Sequence, residues 1–113
     1  MTLNFGKLFP SQLLAGSAAL IQAMPTASSS YLLRNGRVRL TNTSASPVAV
    51  TLYAVPAGGA VALTNEFFPG IAVPAHDYMD VDLPQLAAGD ALWGFCTAYG
   101  TVTIFAIDGV LLS

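Results

Sequence analysis

Charge is what this chain has least of. Only 9% of its 113 residues are charged, against 54% hydrophobic, where about a quarter is usual. The four cations are Lys7, Arg34, Arg37 and Arg39, and the net charge is -2. That is too little positive charge to follow a run of phosphates, so a nucleic-acid partner is excluded from the expectations. A soluble monomer ordinarily keeps more charge on its surface. Part of this surface is therefore expected to be buried against other chains.

Cysteine and histidine are almost as scarce. Cys96 is the sole cysteine, so no intrachain disulfide and no cysteine-rich metal site can form. Within LWGFCTAY it reads as a small buried hydrophobe. His76 is the sole histidine and is followed by Asp77, but neighbouring strand residues point to opposite faces. The serines gather in SSS at 28–30 and in TNTSAS, which are turn contexts and not a nucleophile elbow. No catalytic residue and no cofactor is expected. Asp80 and Asp82 share a strand face and Asp77 and Asp90 flank turns, yet no spaced calcium loop is present, so no metal is expected.

Long apolar runs are missing too. No stretch reaches the roughly 18 to 20 residues of a spanning helix, and membrane insertion is not expected. Lys7 followed by LFPSQLLAGSAALIQAM has the outline of a secretory signal peptide. Its apolar part is broken by Pro10, Ser11, Gln12, Gly16, Ser17 and Gln22. An uncleaved arm is the reading preferred here.

What is present is a period of two, with turn chemistry every ten or so residues. In GRVRLTNT, Val38 and Leu40 alternate with Arg37, Arg39 and Thr41. VAVTLYA sets Val48, Val50 and Leu52 on one face and Ala49, Thr51 and Tyr53 on the other. AVPAGGA ends that strand, and Pro69-Gly70 predicts an edge strand, a bulge or two short pieces in NEFFPGIAV. DYMDVDL is the cleanest alternation, with Met79, Val81 and Leu83 inward and Tyr78, Asp80 and Asp82 outward. After the turn LPQLAAGD, ALWGFCTAY and TVTIFAIDGVLL read as two long strands in a hairpin at Tyr99-Gly100. About seven short strands without a convincing helix give an all-β fold. The expected form is a single antiparallel β-sandwich or jelly-roll-like domain with an N-terminal extended arm. Residues 1–17 form the arm and 18–113 the sandwich.

The segment SQLLAGSAALIQAM stays open on pattern alone. Leu13, Leu14, Ser17, Ala18, Ile21 and Met24 fit one side of a short helix behind Ser11. ALIQAM before Pro25 fits a strand equally well.

From about Ala18 to Val110 the chain resembles small β-sandwich structural proteins of tailed bacteriophages. The resemblance is carried by TNTSAS at 41–46, VTLYAVPAGG at 50–59 and GIAVPA at 70–75. LAAGDAL at 86–92 and the closing GTVTIFAIDGV complete it. On that pattern ALIQAMP matches a first strand, which favours strand over helix there, although Gln22 stands where an aromatic residue is expected. The resemblance implies a non-enzymatic virion component of the neck, tail, baseplate, fibre or capsid decoration. Such a protein is made in the bacterial host cytoplasm and incorporated into the phage particle.

Three sets of residues are then candidates for function. Phe5, Leu8, Phe9, Leu13 and Leu14 make the arm apolar, and such an arm is expected to dock on a neighbouring virion protein. Arg37 and Arg39 lie on one outward face, as do Asp80 and Asp82, and are expected to pair across strands or across subunits. Low charge favours self-association into a closed homo-oligomer, for which a trimer suits a fibre or spike. The alternative is a fibre module that binds host glycans. For that role Tyr78, on the polar face of its strand, is the leading aromatic contact among Tyr53, Tyr78, Trp93 and Tyr99. Trp93 shares a face with Phe95 and is expected in the core.

Overall fold

A computed structural model describes residues 2–4, 11–26 and 31–112, the first three through their strand pairing only. Among the described residues ten strands form two antiparallel sheets. Sheet A has the order β1-β10-β4-β7, with β1 at Thr2–Asn4, β10 at Val102–Leu112, β4 at Leu32–Asn42 and β7 at Asp77–Asp82. Two short strands extend it: β2 (Gln12–Leu13) pairs with β10, and β8 (Leu86–Ala87) with β4. Sheet B has the order β3-β9-β5-β6, with β3 at Ala19–Ala23, β9 at Ala91–Cys96, β5 at Val48–Val55 and β6 at Glu66–Val73. From β3 onward the chain changes sheet at every connection but two, the β5–β6 hairpin and the step from β7 to β8, whose strands both pair with β4. Counting β1 and β2 as one edge strand, this is the strand order of a jelly roll, the two-sheet arrangement of Greek keys.

Alternation fills the interior. Val38, Leu40, Ile104 and Leu111 from sheet A meet Val50, Leu52, Leu92 and Cys96 from sheet B, all fully buried. The strand DYMDVDL behaves as its pattern predicts, with Val81 and Leu83 buried and Tyr78, Asp80 and Asp82 exposed. β6 is one edge strand whose pairing with β5 shifts register around Pro69-Gly70. There the Gly70 N–H donates to the Thr51 hydroxyl oxygen at 3.1 Å.

Three expectations are corrected. First, ALWGFC and VTIFAIDGVLL are not a hairpin, because β9 pairs with β3 and β5 while β10 pairs with β1, β2 and β4. The turn at Tyr99-Gly100 carries the chain from one sheet to the other. Both strands then present their apolar faces to a shared interior, Leu92 and Cys96 opposite Val102 and Ile104. Second, the arm is extended but is not separate from the sandwich. Thr2, Leu3 and Asn4 register with Leu112, Leu111 and Val110, and Gln12 and Leu13 with Ile104 and Thr103. The boundary at residue 17 therefore does not separate an arm from a domain. Residues 11–17 are not helical, and the chain reaches β3 through a bend at Gly16-Ser17.

Third, Trp93 and Phe95 are outside the core cluster. Their neighbours Leu92, Gly94 and Cys96 are buried between the sheets, so Trp93 and Phe95 point the other way. Gly94 explains the choice. A Cβ there would lie 2.7 Å from Leu52 Cδ2 and 2.8 Å from the Thr51 carbonyl oxygen. At position 94 the inner face of β9 has no room for a side chain, and the large aromatics occupy the outer face.

Candidate functional site

The two outer faces of the sandwich differ in chemistry. The strands of sheet A hold Arg34, Arg37, Arg39, Asp77, Asp80, Asp82 and Asp108, whereas those of sheet B hold a single charged residue, Glu66.

On sheet A the β4–β7 register sets Arg37 opposite Asp82, Arg39 opposite Asp80 and Thr41 opposite Tyr78. Both ion pairs form within the chain. Arg39 Nε and Nη2 donate to the two Asp80 carboxylate oxygens at 2.8 and 3.1 Å, a bidentate fork. Arg37 Nε donates to Asp82 Oδ1 at 2.9 Å in a more open setting. The hydrogen bond from Arg39 holds the Asp80 carboxyl below the usual aspartate range, against the opposing effect of desolvation and with help from the positive charges of Arg39 and Arg37. The same bond pushes the Arg39 guanidinium further up. Arg39 also lies over the Tyr78 ring, 4.2 Å from its centre. Tyr78 is 54% exposed.

On sheet B the outer face is largely apolar, with Thr51 opposite Phe95 and Glu66 opposite Tyr53 as polar members. Leu20 is opposite Trp93 in the β3–β9 register, and Trp93 is opposite Tyr53 in the β9–β5 register. Tyr53 stacks on Phe95 with ring centres 6.3 Å apart and planes 24° apart. That stack leaves Tyr53 buried, and Thr51 beside it is buried as well, although both point away from the interior. Leu20 at one edge strand is 51% exposed, and Ala72 is exposed at the other.

The arm residues divide. Phe5, Leu8 and Phe9 lie outside the described residues. Leu13 is exposed on sheet A, opposite Thr103. Leu14 is a core residue, 1% exposed, with its N–H on the Val102 carbonyl, and so is not available for docking. Full burial of a leucine side chain stabilises by about 2 kcal/mol, and that gain is realised within the chain.

The remaining singled-out residues sit at strand ends, in turns or in the core. Asn42 is buried and spends its whole amide on hydrogen bonds. It donates to the carbonyls of Ser46 and Val73, and it accepts from the Ser44 N–H and hydroxyl. TNTSAS is thus an asparagine-centred turn that also ties sheet A to sheet B. Asp90 accepts from the Ala57 N–H at 3.0 Å and the Ala87 N–H at 2.8 Å, joining two loops. Asp77 accepts from the Tyr78 N–H. The Cys96 thiol is buried and contacts the Leu14 and Ala98 carbonyls, while His76 is exposed in a turn at φ 52°. Among the described residues no three His, Cys, Asp or Glu side chains gather as a metal site. No helix among them is long and apolar enough to cross a membrane.

One feature escaped the sequence reading. Where β10 passes β4, the register shifts between Ala106 and Asp108 and again between Asp108 and Val110. Beside these shifts lies a cavity of about 370 Å³ lined by Asn35, Gly36, Arg37, Asp82, Leu83, Gln85 and Asp108. Its signal was the pair of dipeptides Asn35-Gly36 and Asp108-Gly109, each inside an otherwise regular strand pattern.

No protein-family model matches this chain, and no curated protein matches it.

Proposed function

We propose that the protein is a non-enzymatic structural component of a tailed-phage virion that self-associates and docks to neighbouring virion proteins. The observation that carries the self-association is the outer face of sheet B. Leu20, Trp93 and Phe95 lie there with a single charged residue in four strands. Such a surface meets another protein at small desolvation cost, since few polar groups lose water. The ion pairs of sheet A point the same way, because they satisfy Arg37, Arg39, Asp80 and Asp82 inside one chain and leave assembly to apolar contact. Closed symmetry, with a trimer suited to a fibre or spike, is the expected outcome. Docking to other virion proteins is assigned to the N-terminal segment, now narrowed to Phe5, Leu8, Phe9 and the exposed Leu13. The virion location rests on the resemblance at 41–46, 50–59, 70–75 and 86–92. Jelly rolls recur in viral capsid and lectin domains, a likeness of fold only.

Glycan recognition through Tyr78 is the second reading, favoured by its exposure on the polar face. It ranks lower because Arg39 already covers one side of the ring. Mass spectrometry and antibody labelling of purified phage particles test the main reading. The chain is expected in the particle at a fixed copy number and at one location. Its absence from particles that are complete and infectious would refute the assignment.

A further inference from the structure

A sheet ends in a strand with unused backbone hydrogen-bonding groups, and an uncovered edge invites a strand from another chain. Among the described residues, three of the four edges carry an obstacle to this. Beside β10, the strands β1 and β2 are only three and two residues long. On β7 the Leu83 N–H donates to the Gly36 carbonyl, which sets the N–H groups of Tyr78, Asp80 and Asp82 on the side away from β4. That edge carries Asp77, Asp80 and Asp82, and the Asp77 carboxylate accepts from the Tyr78 N–H at 2.7 Å. β6 is interrupted at Pro69-Gly70, where its register shifts and the Gly70 N–H turns back to the Thr51 hydroxyl.

The fourth edge is β3, which reads ALIQA and holds neither charge nor proline. It has one bulge, at Ile21, where its register with β9 shifts. On composition it is the edge most open to a second copy.

Two glutamine amides close it. The Met24 N–H donates to the Asp90 carbonyl, just before β9, at 2.8 Å. Across the same trans peptide the Ala23 carbonyl therefore points the opposite way, to the free side. Gln22 Nε2 donates to that carbonyl at 2.8 Å. Two residues back, the Ile21 carbonyl accepts from Gln12 Nε2 at 3.0 Å. Gln12 belongs to β2 in sheet A, so its side chain crosses from one sheet to the edge of the other. Carbonyls two residues apart are those an added strand has to use. Both are occupied by the chain itself.

We propose that Gln12 and Gln22 are edge caps that bar β3 from pairing with β3 of a second copy. The barred pair is antiparallel about a two-fold axis and would join two B sheets into one. With that route shut, contact between copies falls to the faces of the sandwich. The caps act within a single chain, so they do not depend on the assembly reading, which concerns the face of sheet B.

The test compares the native full chain with Gln12→Ala/Gln22→Ala and with Gln12→Asn/Gln22→Asn, whose amides are one methylene shorter. Gln85→Ala serves as a control away from this edge. The probe is an end-blocked, fluorescein-labelled peptide of residues 18–24, the β3 sequence, followed by anisotropy. Both double variants are expected to bind it saturably and at least tenfold more tightly than the native chain or Gln85→Ala. Binding should also slow exchange of the Ala23 amide proton, which lies on the free side with its carbonyl. Equal binding by the native chain, or no binding by a folded double variant, would overturn the proposal. Failure of both double variants to fold would overturn it too, because the glutamines would then build the fold rather than guard its edge. Light scattering without peptide reads assembly separately, so a monomeric native chain would count against the face of sheet B and not against the caps.

Discussion

The Asn42 side-chain amide donates to the Val73 carbonyl at 3.1 Å, fastening the end of β4 in one sheet to the end of β6 in the other. Its second N–H goes to Ser46, and its oxygen receives two bonds from Ser44. A buried amide with every donor and acceptor used sets both the turn and the spacing of the sheets at that end.

Asn42→Ala is expected to cost about 3 kcal/mol, because it strands buried polar partners. Asn42→Asp places a carboxylate against two carbonyl oxygens and is expected to cost more at neutral pH. Burial raises the folded-state pKa of that new acid above its unfolded value. The variant's deficit is therefore smallest below the unfolded pKa and grows as pH rises through the folded one. Urea denaturation at pH 4 and pH 7 measures both effects. A loss under about 0.5 kcal/mol in both variants, the usual scale of surface substitutions, would remove the inter-sheet role.

Asp90 joins the loop after β5 to the turn before β9 through the N–H groups of Ala57 and Ala87. Asp90→Ala is expected to destabilise by about 2 kcal/mol, the scale of hydrogen bonds to a charged group. Asp90→Asn retains one acceptor and is expected to lose less. Amide exchange at Ala57 and Ala87 should speed up in both variants, more in the alanine.

Arg39 holds the Asp80 carboxyl below its ordinary pKa by hydrogen bonding. A depressed folded-state pKa contributes stability that is present above the unfolded value, about 3.9, and is lost as pH falls through the folded one. Carboxyl-carbon NMR titration should therefore give Asp80 a midpoint below that value, and Arg39→Gln should raise it. An unchanged midpoint in Arg39→Gln would mean the fork does not persist in solution.

The sequence was most legible where one face of a strand is polar. DYMDVDL and GRVRL alternate charged with apolar residues, so burial and the set Arg37, Arg39, Asp80 and Asp82 could be read from the pattern, while the β4–β7 register decides which arginine meets which aspartate. It was least legible where both faces are apolar. In LWGFC, alternation separates Leu92, Gly94 and Cys96 from Trp93 and Phe95 but does not say which set is inside, and bulk points to the aromatics. The Gly94 contacts reverse that choice, and they exist only in three dimensions. Tyr99-Gly100 marks a turn whether the strands it joins share a sheet or not, which is why the hairpin was expected. Leu14 belonged on pattern to an apolar arm, and its burial depends on β10 lying alongside, a contact distant in sequence. The double bulge was hidden for a related reason, since each shift is a property of two strands together.

The charge-poor outer face of sheet B is what self-association is proposed to use, and light scattering across a concentration series tests it most directly. Leu20→Lys/Ala72→Lys charges the two edge strands of that face at exposed positions, and Tyr78→Ser alters sheet A as a control. The native chain and the Tyr78→Ser variant should show one discrete mass that is an integer multiple of 11.7 kDa, while the double lysine variant, still folded by circular dichroism, dissociates toward the single chain. A native protein that stays at 11.7 kDa at every concentration, or an oligomer indifferent to the two lysines, would contradict it.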